Sequence, residues 1–266
     1  MSDAEWQVTE PLLPLAAWRW GRGGRPEKHC RRKTVDAIRY VVDNGCKWRA
    51  LPCDFPPHQT VYAFFVRWER AQYVDDLHDT LRDRLRHHDG RDTEPSAAII
   101  DSQSVRAAET VATDSRGWDA GKKVNGSKRH IAVDTLGLLL MVLVTMASVQ
   151  DRDGARPLIS RLRQLHHRIT WVWADGGYAG KLVTWAKERW NLTLDIVKRT
   201  DDAQGFVALP RRWVVERSLS WICRRRRCVR DYERLPEHHE AMVKWSMIIL
   251  MTRRLARPTP HTPTSP

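Results

Sequence analysis

Three acidic residues lie where their carboxylates could act together. Asp101 ends the apolar run Ala-Ala-Ile-Ile, and Asp175 ends the apolar run Trp-Val-Trp-Ala. An ionised carboxylate at the end of a buried strand is unfavourable unless it is paired, well hydrogen-bonded or bound to a metal. Glu216 follows Arg212 by four residues, which places both on one stripe of a predicted helix. These three acids are therefore candidates for a single site.

Carboxylates from two strands and a helix suit Mg²⁺, which prefers oxygen ligands. Two such ions about 3.5–4 Å apart can activate a nucleophile and stabilise the leaving oxygen in phosphoryl transfer. Simpler interpretations exist for each residue. Asp175 precedes two glycines and could have no role beyond starting a turn. Glu216 could have no role beyond a surface pair with Arg212. The residues alone leave these alternatives open.

The charge of the chain favours a polyanionic partner. Its 266 residues include 45 Lys and Arg against 32 Asp and Glu, and 35 of the 45 are Arg. Arginine binds phosphate oxygens bidentately and stays charged, so this excess favours nucleic acid. The alternative is a basic protein that carries Arg for reasons of codon usage. With 42% hydrophobic residues the chain can bury a core, which excludes wholesale disorder.

Other protein classes find no support in the sequence. The five cysteines include no Cys-x-x-Cys pair, so neither a disulfide framework nor a zinc site is expected. The first residues lack a basic segment followed by an apolar one, and the longest apolar run, 138–149, is too short to cross a bilayer. We expect a cytoplasmic protein that does not bind membranes.

Apolar periodicity divides the chain into two parts. Residues 1–92 predict a helical domain, with helices at 2–13, 34–44, 59–71 and 74–87. The middle pair resembles a helix-turn-helix, with Thr60, Tyr62, Arg67 and Arg70 as DNA contacts, although two core helices that only pack together would show the same pattern. The Gly/Arg-rich stretch 21–33 is either a solvated linker or a basic arm on DNA.

Residues 97–255 predict an α/β domain in which strands alternate with helices. The strands are expected at 97–101, 128–134, 138–146, 171–175 and 192–198, and the helices at 153–166, 179–190, 210–225 and 236–254. The Pro/Thr-rich tail 256–266 is predicted to be disordered.

Six segments together carry a family resemblance. They are GRPEKHCRRKTVDAIRYVVDNGCKWRALPCDFPPHQTVY, IIDSQSVRAAE, GWDAGKKVNGSKRHIAVDTLGLLL, VQDRDGA, VWADGGYAGK and RRWVVERSLSWICRRRR. Across residues 5–254 the chain resembles the transposases of bacterial insertion sequences, of the insertion-sequence five type. The resemblance implies a ribonuclease H-like mixed sheet flanked by helices, preceded by a small all-α domain that binds DNA.

The resemblance also implies the chemistry. Asp101, Asp175 and Glu216 would be the Asp-Asp-Glu triad that binds two Mg²⁺ ions, with Mn²⁺ able to substitute. The enzyme would cleave the terminal inverted repeats of its element and join the 3′-OH ends to target DNA, without a covalent protein–DNA intermediate. It would act on double-stranded DNA as a homodimer or higher oligomer, associated with the bacterial nucleoid. Of the signature Tyr-x₂-Arg-x₃-Glu-x₆-Lys, Arg212 and Glu216 fit, whereas Leu209 and Cys223 replace the Tyr and the Lys.

Basic residues around the triad are candidate DNA contacts. They are Lys122, Lys123, Lys128, Arg129, His130, Arg212, Arg217, Arg224, Arg225, Arg226 and Arg227. A solvated basic turn and a basic helix end are the alternatives. Trp118 is the tryptophan expected near DNA. Two other functions remain open at this point, a catalytically inactive DNA-binding relic and a structure-selective nuclease of the same fold.

Overall fold

The computed structural model describes residues 1–16, 21, 26–197 and 212–257. Within them the chain forms eight α-helices and six β-strands. The helices are α1 (Asp3–Thr9), α2 (Arg31–Asn44), α3 (His58–Arg70), α4 (Tyr73–His88), α5 (Asp151–Leu165), α6 (Lys181–Trp190), α7 (Arg212–Cys223) and α8 (Pro236–Leu255). The strands are β1 (Ala97–Arg106), β2 (Gly117–Asp119), β3 (Val124–Val133), β4 (Leu139–Met146), β5 (Trp171–Ala174) and β6 (Thr193–Ile196).

The six strands form one mixed sheet. Its order is β2-β3-β1-β5-β6, and β4 also pairs with β3. Strand β3 runs antiparallel to β1, β2 and β4, whereas β1, β5 and β6 run parallel to one another. Three antiparallel strands followed by two parallel ones, with helices on both faces, are the ribonuclease H-like arrangement. The expected fold class is confirmed.

Both faces of the central strand β1 are buried, which is why its sequence begins as an apolar run. Ile99 belongs to the core that α7 and α8 cover, whereas Ala98 and Ile100 belong to the core that α5 and α6 cover. Because side chains alternate between faces, Asp101 points to the same side as Ile99. The strand thus directs Asp101 toward the face on which α7 packs.

The N-terminal helices share a hydrophobic core with the sheet. Val41, Phe65 and Leu81 lie in the same buried cluster as Trp245 and Ile248 of α8. Helix α8 is buried along most of its length between the N-terminal helices and the sheet. Even so, no helix of the described residues is long and apolar enough to cross a membrane. The boundary predicted between residues 92 and 97 falls in the connection before β1 and stays a prediction.

The helix pair α2 and α3 has features of both sequence interpretations, a helix-turn-helix with exposed DNA contacts and two helices that only pack in the core. The apolar positions Val61, Phe65 and Trp68 are buried, as two packed core helices require. Tyr62, Arg67 and Arg70 remain exposed on the opposite face of α3. Gly45 ends α2 with a φ of 68°, a left-handed conformation that glycine adopts without strain.

Most predicted elements occur within a few residues of their expected bounds. The three-residue strand β2 was not predicted, because so short an element carries no periodic signal. Strand β1 continues to Arg106, and β3 begins at Val124 rather than at 128. Residues 22–25 of the predicted basic arm and residues 258–266 of the predicted disordered tail lie outside the described residues.

Candidate active site

Asp101 and Asp175 lie side by side at one edge of the sheet. Strands β1 and β5 are parallel, with Ile99 opposite Trp173. Asp101 follows Ile99 by two residues, and Asp175 follows Trp173 by two. The parallel register therefore carries both carboxylates to the carboxyl edge, where ligands of open α/β sheets bind.

The carboxylate of Asp101 is poorly compensated. It accepts a hydrogen bond of 2.7 Å from the backbone N–H of Ser102. Burial, together with the negative charge of Asp175, raises the pKa of Asp101 to about 6, against the opposing effects of the Ser102 hydrogen bond and the charges of Arg212 and Lys122. An acid with a pKa raised in this way is favourably placed to bind a cation.

Asp175 both starts a turn and faces the site. One carboxylate oxygen, Oδ1, accepts the backbone N–H of Gly177 at 2.8 Å and begins a short 3₁₀ helix. A Cβ atom added at Gly177 would lie 3.0 Å from that oxygen, so the turn favours glycine there. The other oxygen, Oδ2, lies 3.4 Å from Nη2 of Arg212. The turn interpretation is therefore correct and leaves one oxygen available.

Arg212 links the strand acids to the helix acid. Its Nη2 lies 3.4 Å from Oδ2 of Asp175 and 3.9 Å from Oε1 of Glu216. Arg212 is 27% exposed and the Glu216 side chain 50% exposed, so the pair between them is loose and solvated. The first turns of α7 thus bring Glu216 toward the two aspartates, with a guanidinium between the acids.

The residue types suit a divalent metal, but the present arrangement is not a ligand set. Among the described residues, no three His, Cys, Asp or Glu side chains are grouped closely enough to hold an ion. Burial and the charge of Asp175 disfavour the ionised form of Asp101, and a bound cation would stabilise that form. Carboxylate oxygens are the ligands that Mg²⁺ takes. The donor set therefore fits such an ion, and Arg212 supplies positive charge to Asp175 and Glu216.

Two adjacent lysines approach this edge differently. The ammonium of Lys122 donates to the carbonyl oxygen of Ser102 at 3.1 Å and to its hydroxyl at 3.2 Å, next to Asp101. Lys123 is exposed, and its φ of 54° turns the chain sharply before β3. Both residues stay accessible to a ligand at the sheet edge.

The structure corrects the prediction that Lys128 contacts DNA, because its side chain forms internal ion pairs. Its side chain is 5% exposed. The ammonium lies 2.9 Å from Asp151 and 3.2 Å from Asp119, and it donates to the carbonyl oxygen of Val149 at 2.7 Å. Because these partners enclose the charge, no DNA phosphate can reach it.

The predicted DNA contacts at Arg129 and His130 are corrected as well, because both side chains are completely buried in β3. Arg129 donates to the carbonyl oxygen of Cys228 at 2.9 Å and to the side chain of Gln103. A ring nitrogen of His130 lies 3.0 Å from the hydroxyl of Thr145, and burial lowers the pKa of His130 to about 4. The sequence prediction placed these side chains at the end of a basic loop, whereas the strand begins at Val124.

The arginines of α7 and its continuation also divide into two groups. Arg224 and Arg226 are exposed. Arg227 is buried and donates to Glu233 at 2.7 Å and to the carbonyl oxygen of Cys46 at 3.0 Å. The prediction that it contacts DNA is therefore corrected to a structural role. Arg225 pairs with Asp43 of α2 and is only partly accessible.

Arg217 and Cys223, also on α7, are both engaged by protein groups. The Arg217 guanidinium lies over the rings of Trp213 and Trp221, at 4.4 and 4.7 Å from their centroids, and donates to the carbonyl oxygen of Leu136 at 2.8 Å. Cys223, at the position of the family lysine, lies 3.5 Å from Nε2 of Gln103. Leu209, at the position of the family tyrosine, lies outside the described residues.

Two acids behind the site, Asp119 and Asp151, were not predicted from the sequence to be site residues. Although burial acts to raise it, hydrogen bonds from Ser104, the Lys122 backbone and Lys128 lower the pKa of Asp119 to about 2. The backbone N–H of Lys122 donates to Asp119 at 3.0 Å, so this acid fixes the turn that carries Lys122. Asp151 lies in the first turn of α5 and pairs with Lys128. Partners this remote in sequence give no local signal.

Two family models match the chain. Residues 92–251 match "Transposase DDE domain", and residues 1–78 match "Putative transposase of IS4/5 family". The chain belongs to the DDE transposases of the IS4/5 group. The family predicted from the sequence motifs is thereby confirmed, and the two matches cover the helical part and the sheet domain separately.

Curated relatives of this transposase come from Burkholderia cepacia. The chain is 31% identical over 140 residues to "Putative transposase for insertion sequence element IS402", which covers 50% of the chain and 65% of that relative. It is also 31% identical over 109 residues to "Insertion element IS402 uncharacterized 16.2 kDa protein", across 40% of the chain and 73% of the relative. A remote structural likeness links it to the "Drosophila P element transposase strand transfer complex", with a TM-score of 0.33 and 14% identity over 72% of this chain and 46% of the other.

Proposed function

We propose that this transposase cleaves double-stranded DNA at the terminal inverted repeats of an insertion sequence and joins the freed 3′-OH ends to target DNA. One observation carries the proposal. Asp101 and Asp175 lie together at the carboxyl edge of the sheet, and Arg212 connects Asp175 to Glu216 of α7. These are the three acids that the family motifs assign to catalysis.

Asp101, Asp175 and Glu216 would hold two Mg²⁺ ions, which when bound supply an activated nucleophile and stabilise the leaving oxygen. In the metal-free protein Arg212 balances the charges of Asp175 and Glu216. The buried Ser102 hydroxyl is bonded to Lys122 and lies on the opposite face of β1 from Asp101. It is therefore not placed to attack a phosphodiester held at the acids, which agrees with direct attack on the DNA without a covalent intermediate at Ser102.

The accessible basic residues would hold the DNA backbone beside the acids. Lys122 and Lys123 lie at the turn before β3, and Arg224 and Arg226 follow α7. Asp119 fixes the Lys122 backbone, which keeps this ammonium at the edge of the site. Exposed cations of this kind neutralise phosphates and position the duplex without reading its sequence.

Joining two ends of one element requires two reacting strands in one assembly. We therefore propose that the transposase acts as a homodimer or a higher oligomer on DNA. The exposed residues of α3, namely Tyr62, Arg67 and Arg70, are accessible to the inverted repeats. Major-groove contact by such a helix would supply the sequence specificity that backbone contacts lack.

The proposal is tested by cleavage of a supercoiled plasmid that carries both ends of the element. Wild type is expected to nick at the repeat boundary with Mg²⁺ or Mn²⁺ and not with EDTA. Asp175→Ala should lose this activity, whereas Asp153→Ala, which removes an exposed acid from the first turn of α5, should retain it.

Other outcomes would assign a different function. Repeat-specific binding without cleavage under any metal would make the chain a DNA-binding relic of a transposase. Cleavage that follows DNA shape and ignores the repeats would make it a structure-selective nuclease. Either result overturns the proposal.

A further inference from the structure

A cavity of about 300 Å³ opens where the C-terminal ends of α7 and α8 meet. We name it the five-arginine pocket. It is lined by Trp221, Arg224, Arg225, Leu250, Arg253, Arg254 and Arg257. The pocket is separate from the acids at the start of α7, because its residues come from the last turns of the two helices and the segments after them.

Three of its arginines lack an acidic partner. Asp43 pairs with Arg225 and lies 3.3 Å from Nη2 of Arg253. Among the described residues, no ion pair involves Arg224, Arg254 or Arg257. Each guanidinium offers five N–H donors in a planar fork that matches a phosphate. The pocket is therefore a concave cationic surface with unused donors.

Packing holds these charges together against their repulsion. The Arg254 guanidinium lies 4.4 Å from the centroid of Trp221, whose ring also contacts Arg217 at 4.7 Å. Burial and the positive charges of Arg217 and Arg257 lower the pKa of Arg254. The helix dipole favours arginine in the last turn of α8. It does not explain why arginines of two helices converge on one cavity.

The pocket continues the exposed face of α7 that carries Glu216. Along this helix Trp213, Glu216 and Ser220 are exposed, and Arg224 follows at the next position of the same stripe. Eight residues separate Glu216 from Arg224, or about 12 Å at 1.5 Å per residue. Successive phosphates advance about 3.4 Å along the axis of a DNA strand, so this distance corresponds to three or four nucleotides.

We propose that the five-arginine pocket binds backbone phosphates of the DNA duplex whose reacting phosphodiester lies at the catalytic acids. This inference rests on the proposed function. The duplex would lie along the exposed face of α7, with one contact region at Glu216 and a second three or four nucleotides away. The second region would bind any sequence, because it contacts phosphates only.

The test measures binding of a fluorescein-labelled 30-bp duplex by anisotropy in EDTA, between 50 and 200 mM salt. Arg224→Gln/Arg257→Gln removes two exposed charges and leaves Arg254 stacked on Trp221. The matched control, Arg84→Gln/Arg161→Gln, removes two exposed charges from α4 and α5. Each phosphate contact contributes about 0.9 to the slope of log affinity against log salt. The pocket variant should lower that slope by about 2. Between 50 and 200 mM salt, the affinity of wild type for the duplex should therefore fall by a factor about ten times larger than the affinity of the pocket variant.

Equal slopes for the pocket variant and the control variant would overturn the proposal, and so would the absence of duplex binding by wild type. Thermal unfolding of both variants checks that each is folded. The binding assay contains no metal, so its result is independent of cleavage. If the pocket variant alone lowers the slope but the protein never cleaves DNA, DNA binding by the pocket is supported and the proposed function is refuted. If the wild type cleaves DNA but the two variants have equal slopes, the proposed function is supported and DNA binding by the pocket is refuted.

Discussion

Replacing Asp101 by Asn should stabilise the metal-free transposase. The Asp101 carboxylate lies beside Asp175 in a site that desolvates it, which raises its pKa from 3.8 to about 6. Asparagine removes the charge and keeps an oxygen that can accept the Ser102 N–H. The acid is thus expected to be retained for function at the expense of stability.

The size of the effect follows from the pKa. A shift of one unit corresponds to 1.36 kcal/mol, so a shift of about two units makes the charged form about 2–3 kcal/mol less favourable at neutral pH. For a domain of this size, that gain in stability should raise Tm by roughly 4–9 °C. Mg²⁺ should raise the Tm of wild type, since a ligand that binds only the folded state stabilises it. It should leave Asp101→Asn nearly unchanged.

The assay is thermal unfolding at pH 7.5, with EDTA and with 10 mM Mg²⁺. Asp134→Asn is the contrasting variant, because Asp134 also ends a strand but pairs with Arg86 and accepts the N–H groups of Leu136 and Leu138 at 2.9 and 2.8 Å. Loss of that buried pair should cost about 3–5 kcal/mol. If Asp101→Asn is no more stable than wild type in EDTA, the charge at Asp101 is not strained and the reasoning is wrong.

Three further predictions concern Lys122, two buried histidines and Gly154. Lys122→Ala should slow single-turnover cleavage about ten- to hundredfold, because it removes the charge-assisted contact of the Lys122 ammonium with Ser102, next to Asp101, which is worth roughly 1.5–3 kcal/mol. Lys123→Ala should change the rate less than threefold, and equal effects of the two variants would contradict the role of Lys122. Burial lowers the pKa values of His130 and His166 to about 4, so the unfolded chain binds more protons than the folded one between pH 6.5 and 4, and stability must fall as pH falls through that range. Urea unfolding should show a loss of about 2 kcal/mol per histidine from pH 7.5 to pH 5, and His166→Gln should show the smaller loss; an unchanged pH dependence would refute this. A methyl group at Gly154 of α5 would overlap the ring of His130. Gly154→Ala should therefore lower the free energy of unfolding by about 1–3 kcal/mol. Unchanged urea unfolding would contradict this and show that α5 can move away from the ring.

The sequence was sufficient to place Asp101 and Asp175 because their signal is local. Each follows a short apolar run, and parallel strands bring such ends together. The same pattern is present at Asp134, after the run His-Ile-Ala-Val, yet that acid is structural. Its partner Arg86 lies 48 residues earlier in the chain. The family motifs, rather than the strand-end pattern, single out Asp101 and Asp175 as the proposed catalytic acids.

The predicted basic loop shows what local patterns cannot resolve. Charge alone made Lys128, Arg129 and His130 resemble a DNA-contacting turn. Each is buried because its partner arrives from a remote element, such as Asp151 of α5 for Lys128 or the Cys228 carbonyl for Arg129. Local charge predicts exposure only where remote elements do not enclose the side chain, as at the exposed Lys122 and Lys123.

The central claim is that Asp101, Asp175 and Glu216 together bind a divalent metal ion. It is tested most directly by a crystal structure of the wild-type protein soaked in Mn²⁺, with data collected at the manganese absorption edge. The anomalous difference map should show manganese between Asp101 and Asp175, with Glu216 turned toward it and Arg212 displaced from Asp175. The same soak of Asp101→Asn should lose the peak. A map without manganese at these acids, with Arg212 still paired to Asp175 in wild type, would contradict the proposed catalytic site.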